Sequence, residues 1–131
     1  MKNSNVLKGI LILLGLNLTV LGSWRVIDPI AFFEFSGMIL SNDVGLLNEA
    51  RGTGGAVVGF GILILLGAFN RKLSYTSTIA AIVLYLGFGV ARVIGFVLDG
   101  NPGEMIVQGI IGEFVFGLLA LFALYKYSER S

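Results

Sequence analysis

Four ionisable side chains, Glu49, Arg51, Arg92 and Glu113, interrupt stretches of sequence that are otherwise apolar and rich in glycine. The first two stand two residues apart in LNEARGTGGAVVGFG, and the others are a lone arginine and a lone glutamate further along. Two kinds of chemistry fit such residues. Guanidiniums present rigid forks of N–H donors that match carboxylate or phosphate oxygens. Paired carboxylates in unlike surroundings can divide acid and base roles, with Glu113 raised in pKa by burial and Glu49 kept ionised beside Arg51. An unpaired charge deep in a membrane costs about 2.5–3.5 kcal/mol on insertion scales, so charges in such stretches are functional by default.

Other chemistries are excluded. The glycine-rich run lacks the Gly-Lys-Ser/Thr ending of a phosphate loop, and Val57 stands where the dinucleotide pattern needs glycine. The chain has no cysteine and no histidine, which removes disulfides, thiolate metal sites, haem and zinc ligation by histidine, and Ser-His catalysis. No metal and no cofactor are expected. A net charge of +1 provides no basic field for nucleic acid.

The elements that must position these residues follow from composition. Of 131 residues, 56% are hydrophobic and only 13% charged, with mean hydropathy +0.90. Soluble domains carry about 25% charged residues, so this chain cannot cover itself with a polar surface. Four apolar segments, at about 6–24, 49–69, 74–98 and 104–127, reach the roughly 20 residues a helix needs to cross a bilayer. Helices satisfy their own backbone in lipid, so the expected fold is an all-α, four-helix integral membrane bundle forming one domain over residues 1–131.

Basic residues fall on one side of that bundle: Lys2 and Lys8, then Arg71 and Lys72, then Lys126 and Arg130. Asp28, Glu34, Asp43, Asp99 and Glu104 fall on the other, with Arg25 as its only loop cation. The positive-inside rule places the protein in the plasma (inner) membrane with both termini cytoplasmic. The first segment reads as a retained helix rather than a signal peptide, because Val20-Leu21-Gly22 is a poor cleavage site. Between the first two segments, Asp28-Pro29 is a helix start, and the following IAFFEFSGMIL is apolar but too short to span. It predicts an interfacial or re-entrant helix of about a dozen residues on the outer face, acting as a lid or as a simple anchor.

Residues four apart share a helix face. Arg51, Gly55 and Gly59 therefore form one stripe, and Gly109, Glu113 and Gly117 another; Gly87, Ala91 and Gly95 form a third, beside Arg92. Such small-residue stripes let helix backbones approach closely, so these glycines are the expected packing faces. At about 1.5 Å per residue, Arg92 lies roughly 9 Å and Glu113 roughly 14 Å below the outer ends of their helices, within reach of Glu49 and Arg51. The expectation is a neutral cluster of all four. It either pins the helices together or lines a cavity for a polar head group. Tyr85, Phe88 and Phe96 surround Arg92 at helical spacings, while Phe114, Phe116 and Phe122 line the fourth helix. These rings serve as core packing or as walls of an amphiphile site. Asn17, Thr19 and Gln108 are expected to make interhelical hydrogen bonds.

NEARGTGGAVVGFGILILLGAF, an arginine in the third helix followed by LDGNP, and one central glutamate in the fourth resemble a small bacterial membrane family, domain of unknown function 4345. The resemblance spans nearly the whole chain and implies four helices without an assigned activity. The leading expectation is a noncatalytic protein that binds a lipid-like or small amphiphilic molecule in an outer-facing cavity. Arg51 and Arg92 would hold the head group, and Glu49 and Glu113 would orient them. The alternatives are a structural subunit of a homo-oligomer or larger membrane complex, and an intramembrane enzyme using Glu49 and Glu113 on a lipid.

Overall fold

The structure, a computed structural model, describes residues 1–129. Arg130, counted above on the basic side, lies outside the described residues. The chain folds into α1 (Asn5–Ile27), α2 (Pro29–Phe35), α3 (Val44–Phe69), a 3-10 turn (Arg71–Leu73), α4 (Ser74–Asp99) and α5 (Glu104–Tyr127). The helices α1, α3, α4 and α5 are each long and apolar enough to cross a membrane.

Local chemistry sets the boundaries. Ser4 Oγ accepts the free Val6 and Leu7 N–H groups at the start of α1. Asp43 Oδ2 accepts the Leu46 N–H at 2.9 Å, so α3 begins at Val44 rather than near 49. The first helix runs one turn beyond 24, to Ile27. The short helix is the clearest departure from expectation: α2 covers seven residues, not a dozen. Gly37 at φ +84° stops it, with Met38 N–H donating to Phe33 O and Gly37 N–H to Glu34 O. Those two bonds close a Schellman cap, which needs glycine in the left-handed region.

The N-terminus, the 3-10 turn and the C-terminus meet at one end of the molecule, the terminal end. Lys2 N–H donates to Tyr127 O at 2.7 Å, and Arg71 bonds both Met1 O and Glu129. At the opposite end, α2 packs against α1 and, more lightly, α3.

Packing divides the molecule into two halves. The antiparallel helices α1 and α3 touch along a ladder of glycines, Gly15 against Gly61 and Gly22 against Gly54. A Cβ on Gly61 would sit 2.7 Å from Thr19 N, and one on Gly22 would sit 2.8 Å from Gly54 O. The backbones are therefore in direct contact. Both pairs are seven residues apart, two helical turns, so each member returns to the same face. The expected stripe is one residue out of phase with this ladder, a rotation of about 100°. Gly55, Gly59, Gly87, Gly95 and Gly109 meet nothing within 4 Å, whereas Gly117 lies against Leu86.

At the terminal end the α1–α3 pair and the α4–α5 pair join around a core containing Leu7, Leu11, Leu14, Ile64, Ala81, Tyr85, Ala120 and Ala123. Ser77 Oγ donates to Leu63 O and Ser74 Oγ to Gly67 O, both at 2.6 Å. Lipid offers no hydrophobic drive for helix association, so close backbone contact and such bonds carry it. Towards the α2 end no buried core cluster continues between the two pairs among the described residues. A cavity separates them there instead.

Candidate functional site

The cavity has a volume of about 400 Å³. Its floor is the top of the core, where Tyr85 O–H donates to Leu14 O at 2.7 Å and accepts from Asn17 Nδ2 at 3.1 Å. Both hydrogen-bonding roles of that hydroxyl are thus taken within the protein. Phe116 stands edge-on to the Tyr85 ring at 5.5 Å. The roof is α2 with the end of α1: Trp24 packs edge-on against Phe32 at 5.3 Å and against Phe35 at 5.4 Å.

Three charged groups face this space. Arg92 Nε lies 3.0 Å from Glu113 Oε1, but its N–H is directed at Oε2, 3.3 Å away. Oε1 is buried and receives no hydrogen bond. The glutamate side chain is 17% exposed and the arginine 41%, so the carboxylate sits inside while the guanidinium reaches towards the opening. The third group is Arg25. Its Nε–H donates to Ala50 O at 3.0 Å, and its guanidinium lies over the Phe33 ring at 4.8 Å and the Phe32 ring at 5.8 Å. Two guanidiniums against one carboxylate leave the cavity with one formal positive charge. The Nη groups of Arg25 and Arg92 donate to no acceptor among the described residues.

The expected four-charge cluster is therefore not what forms. The structure pairs Arg92 with Glu113 and takes Glu49 and Arg51 elsewhere. Arg51 Nη1 donates to Val26 O and to Ile27 O (3.2 Å to the latter), capping the free carbonyls at the end of α1. Together with the Arg25–Ala50 bond this makes a reciprocal clasp between α1 and α3. Glu49 is exposed, does not line the cavity, and makes no ion pair among the described residues. The separation has a simple origin: α3 starts at Val44, so Glu49 and Arg51 lie inside its second turn, beside the end of α1. The acid–base pairing of Glu49 with Glu113 is not made.

Of the rings expected around Arg92, Tyr85 and Phe88 line the cavity, and Phe88 lies under the guanidinium at 5.8 Å. Phe96 is 40% exposed and outside it, one turn too far along α4. Gly109 lines the cavity instead of packing against a helix. Asn17 makes the expected interhelical bond, Thr19 bonds back to Gly15 O in its own helix, and Gln108 faces the cavity. Arg25 is the residue that sequence reasoning assigned to a loop. Its signal was present: Leu18, Leu21, Gly22 and Arg25 follow i, i+3, i+4 and i+7, and all four line the cavity from one face of α1. No group of three or more histidine, cysteine, aspartate or glutamate side chains converges among the described residues, so no side-chain set for a metal is assembled.

Fold and site together define a class: an all-helical protein with four helices able to span a membrane and a charged cavity between two helix pairs. The chain belongs to the family described as domain of unknown function (DUF4345), whose family model matches residues 6–124. No curated protein and no solved structure matches the chain.

Proposed function

We propose that this protein holds the anionic head group of a lipid-like amphiphile, with Arg25 and Arg92 as the binding groups and Glu113 as the residue that orients Arg92. In this reading it sits in the plasma (inner) membrane, its termini are cytoplasmic, and the cavity opens to the outer leaflet. The observation that carries the proposal is the pair of guanidiniums with free Nη donors facing one cavity against a single carboxylate. Self-neutralising polar glue would need a second carboxylate there, and Glu49 is not in place to supply it. A guanidinium pair suits a carboxylate or a phosphate, because both offer oxygens to a planar fork. The committed Tyr85 hydroxyl and the missing second carboxylate favour binding over acid–base turnover.

The chain's only tryptophan, Trp24, lines the cavity and reports on it directly. In bilayer discs of zwitterionic lipid, dodecyl phosphate is expected to change Trp24 emission saturably, and dodecylphosphocholine is not. Loss of one charged hydrogen-bonding partner is worth about 1.5–3 kcal/mol, so Arg92→Gln and Arg25→Gln should each weaken the response about tenfold or more. Equal responses in the wild type and in both variants would overturn the proposal.

A further inference from the structure

We infer that the alkyl tail of the bound amphiphile leaves the cavity sideways between α3 and α4, passing Phe88 into an apolar groove on the lipid-facing side. This rests on the head-group reading above and adds where the rest of the molecule lies. The groove has a volume of about 290 Å³ and is walled by Phe60 of α3 and by Ala80, Val83, Leu84, Gly87 and Phe88 of α4. None of these side chains carries a polar atom.

Three observations join the groove to the cavity. Phe88 is a wall of both, so one ring separates the two spaces. On α3, Val57 lines the cavity and Phe60, three residues on, lines the groove. On α4, Tyr85 faces the cavity while its neighbour Leu84 faces the groove. The floor and the roof are filled by protein: below the cavity the Tyr85–Leu14 and Asn17–Tyr85 bonds lie over the packed core, and above it Trp24 packs edge-on to Phe32 and tilted to Phe35.

The groove also runs the right way for a tail. Ala80, Val83, Leu84 and Gly87 follow i, i+3, i+4 and i+7, one straight helical stripe about 10 Å long. It leads from the level of the cavity floor, at mid-height of α4, towards the terminal end of the spanning segments. Its floor stays low at Gly87, where a Cβ would meet nothing within 4 Å. A side chain placed there fills the groove without displacing protein.

The test compares butyl phosphate with dodecyl phosphate, read by Trp24 emission in the same discs, on wild type and Gly87→Leu. Partition into the bilayer cancels, because each ligand is compared between two proteins in one lipid. Filling the groove is expected to weaken dodecyl phosphate about tenfold, a modest overpacking effect, and to leave butyl phosphate unchanged. Should Gly87→Leu fail to fold, Val83→Phe, at a side chain 67% exposed, narrows the same groove without adding a second tryptophan and carries the same expectation. Unchanged binding of both ligands, or equal weakening of both, overturns the tail route. If Arg92→Gln still abolishes binding in that case, the head-group reading stands alone. If Arg92→Gln has no effect either, both fall.

Discussion

Two regions of this bundle, the α1–α3 seam and the cavity with its groove, solve opposite problems with the same residue type. In the α1–α3 seam, Gly15, Gly22, Gly54 and Gly61 bring backbone against backbone and leave no room for one methyl group. Around the cavity and the groove, Gly109 and Gly87 face open space. Glycine in the first case makes contact possible, and in the second it keeps a volume free. The charges divide in the same way: Arg51 fastens α1 to α3 through carbonyl oxygens, whereas Arg92 pairs with Glu113 through Nε and faces the cavity with its Nη donors unused. Neither a glycine nor an arginine in an apolar helix reveals its task by type alone. Its angular position on the helix does.

The largest effect that would sharpen this contrast comes from leucine at one glycine of each kind. Gly61→Leu must push α1 and α3 apart, because the new Cβ meets Thr19 N and Gly15 O, which are backbone atoms and cannot rotate away. A loss of about 3 kcal/mol or more is expected, the upper end of overpacking costs. Gly109→Leu should stay within about 0.5 kcal/mol, as substitutions that meet nothing usually do. Thermal unfolding in a fixed detergent compares the two. Equal losses would erase the distinction between seam and cavity.

Tyr85→Phe probes the boundary between the halves. It removes the donor to Leu14 O and the acceptor for Asn17, and about 1 kcal/mol of stability should go with them. Dodecyl phosphate binding should hardly change, since the hydroxyl is fully occupied within the protein. A large binding loss with little destabilisation would make Tyr85 a ligand contact and move the floor of the site.

The legibility of these features in the sequence follows from the same geometry. Four apolar segments and the Asp28-Pro29 helix start needed only hydropathy and capping chemistry, and, apart from their ends, the helices form where those signals put them. Of the four-charge cluster expected from depth, only the Arg92–Glu113 pair forms, because Glu49 and Arg51 lie beside the end of α1. Arg25 continues the Leu18, Leu21 and Gly22 face, but its role depends on whether α1 ends at 24 or one turn later; that turn moves it from loop to cavity wall. The glycine ladder was missed because a four-residue spacing was followed where a seven-residue spacing, 15 to 22 and 54 to 61, returns to the seam. The short length of α2 was written in Ser36-Gly37, a helix stop inside an apolar run.

The smallest expected effect lies at the terminal end, outside the membrane-spanning segments. The hydrogen bond from Arg71, with the nearby Met1 ammonium, holds the Glu129 carboxyl below the ordinary carboxylate range. A carboxyl whose pKa is lowered by folding stabilises the fold above its unfolded pKa, about 4.3, and that contribution disappears as pH falls through the lower folded value. Glu129→Gln should therefore lower the unfolding midpoint slightly near pH 7 and be indistinguishable from wild type in strong acid. The pair is exposed, so salt should shrink the difference as well. A difference that grew on acidification would contradict this assignment.

The division between a fastened seam and an open charged cavity is tested most directly by native mass spectrometry on protein gently extracted from its own membranes. Wild type, Arg51→Gln and Arg92→Gln would be run side by side. A discrete bound mass of an anionic amphiphile is expected on wild type and on Arg51→Gln, and its loss is expected from folded Arg92→Gln. Bare protein in all three samples, or a bound mass lost with Arg51 but kept without Arg92, would contradict it.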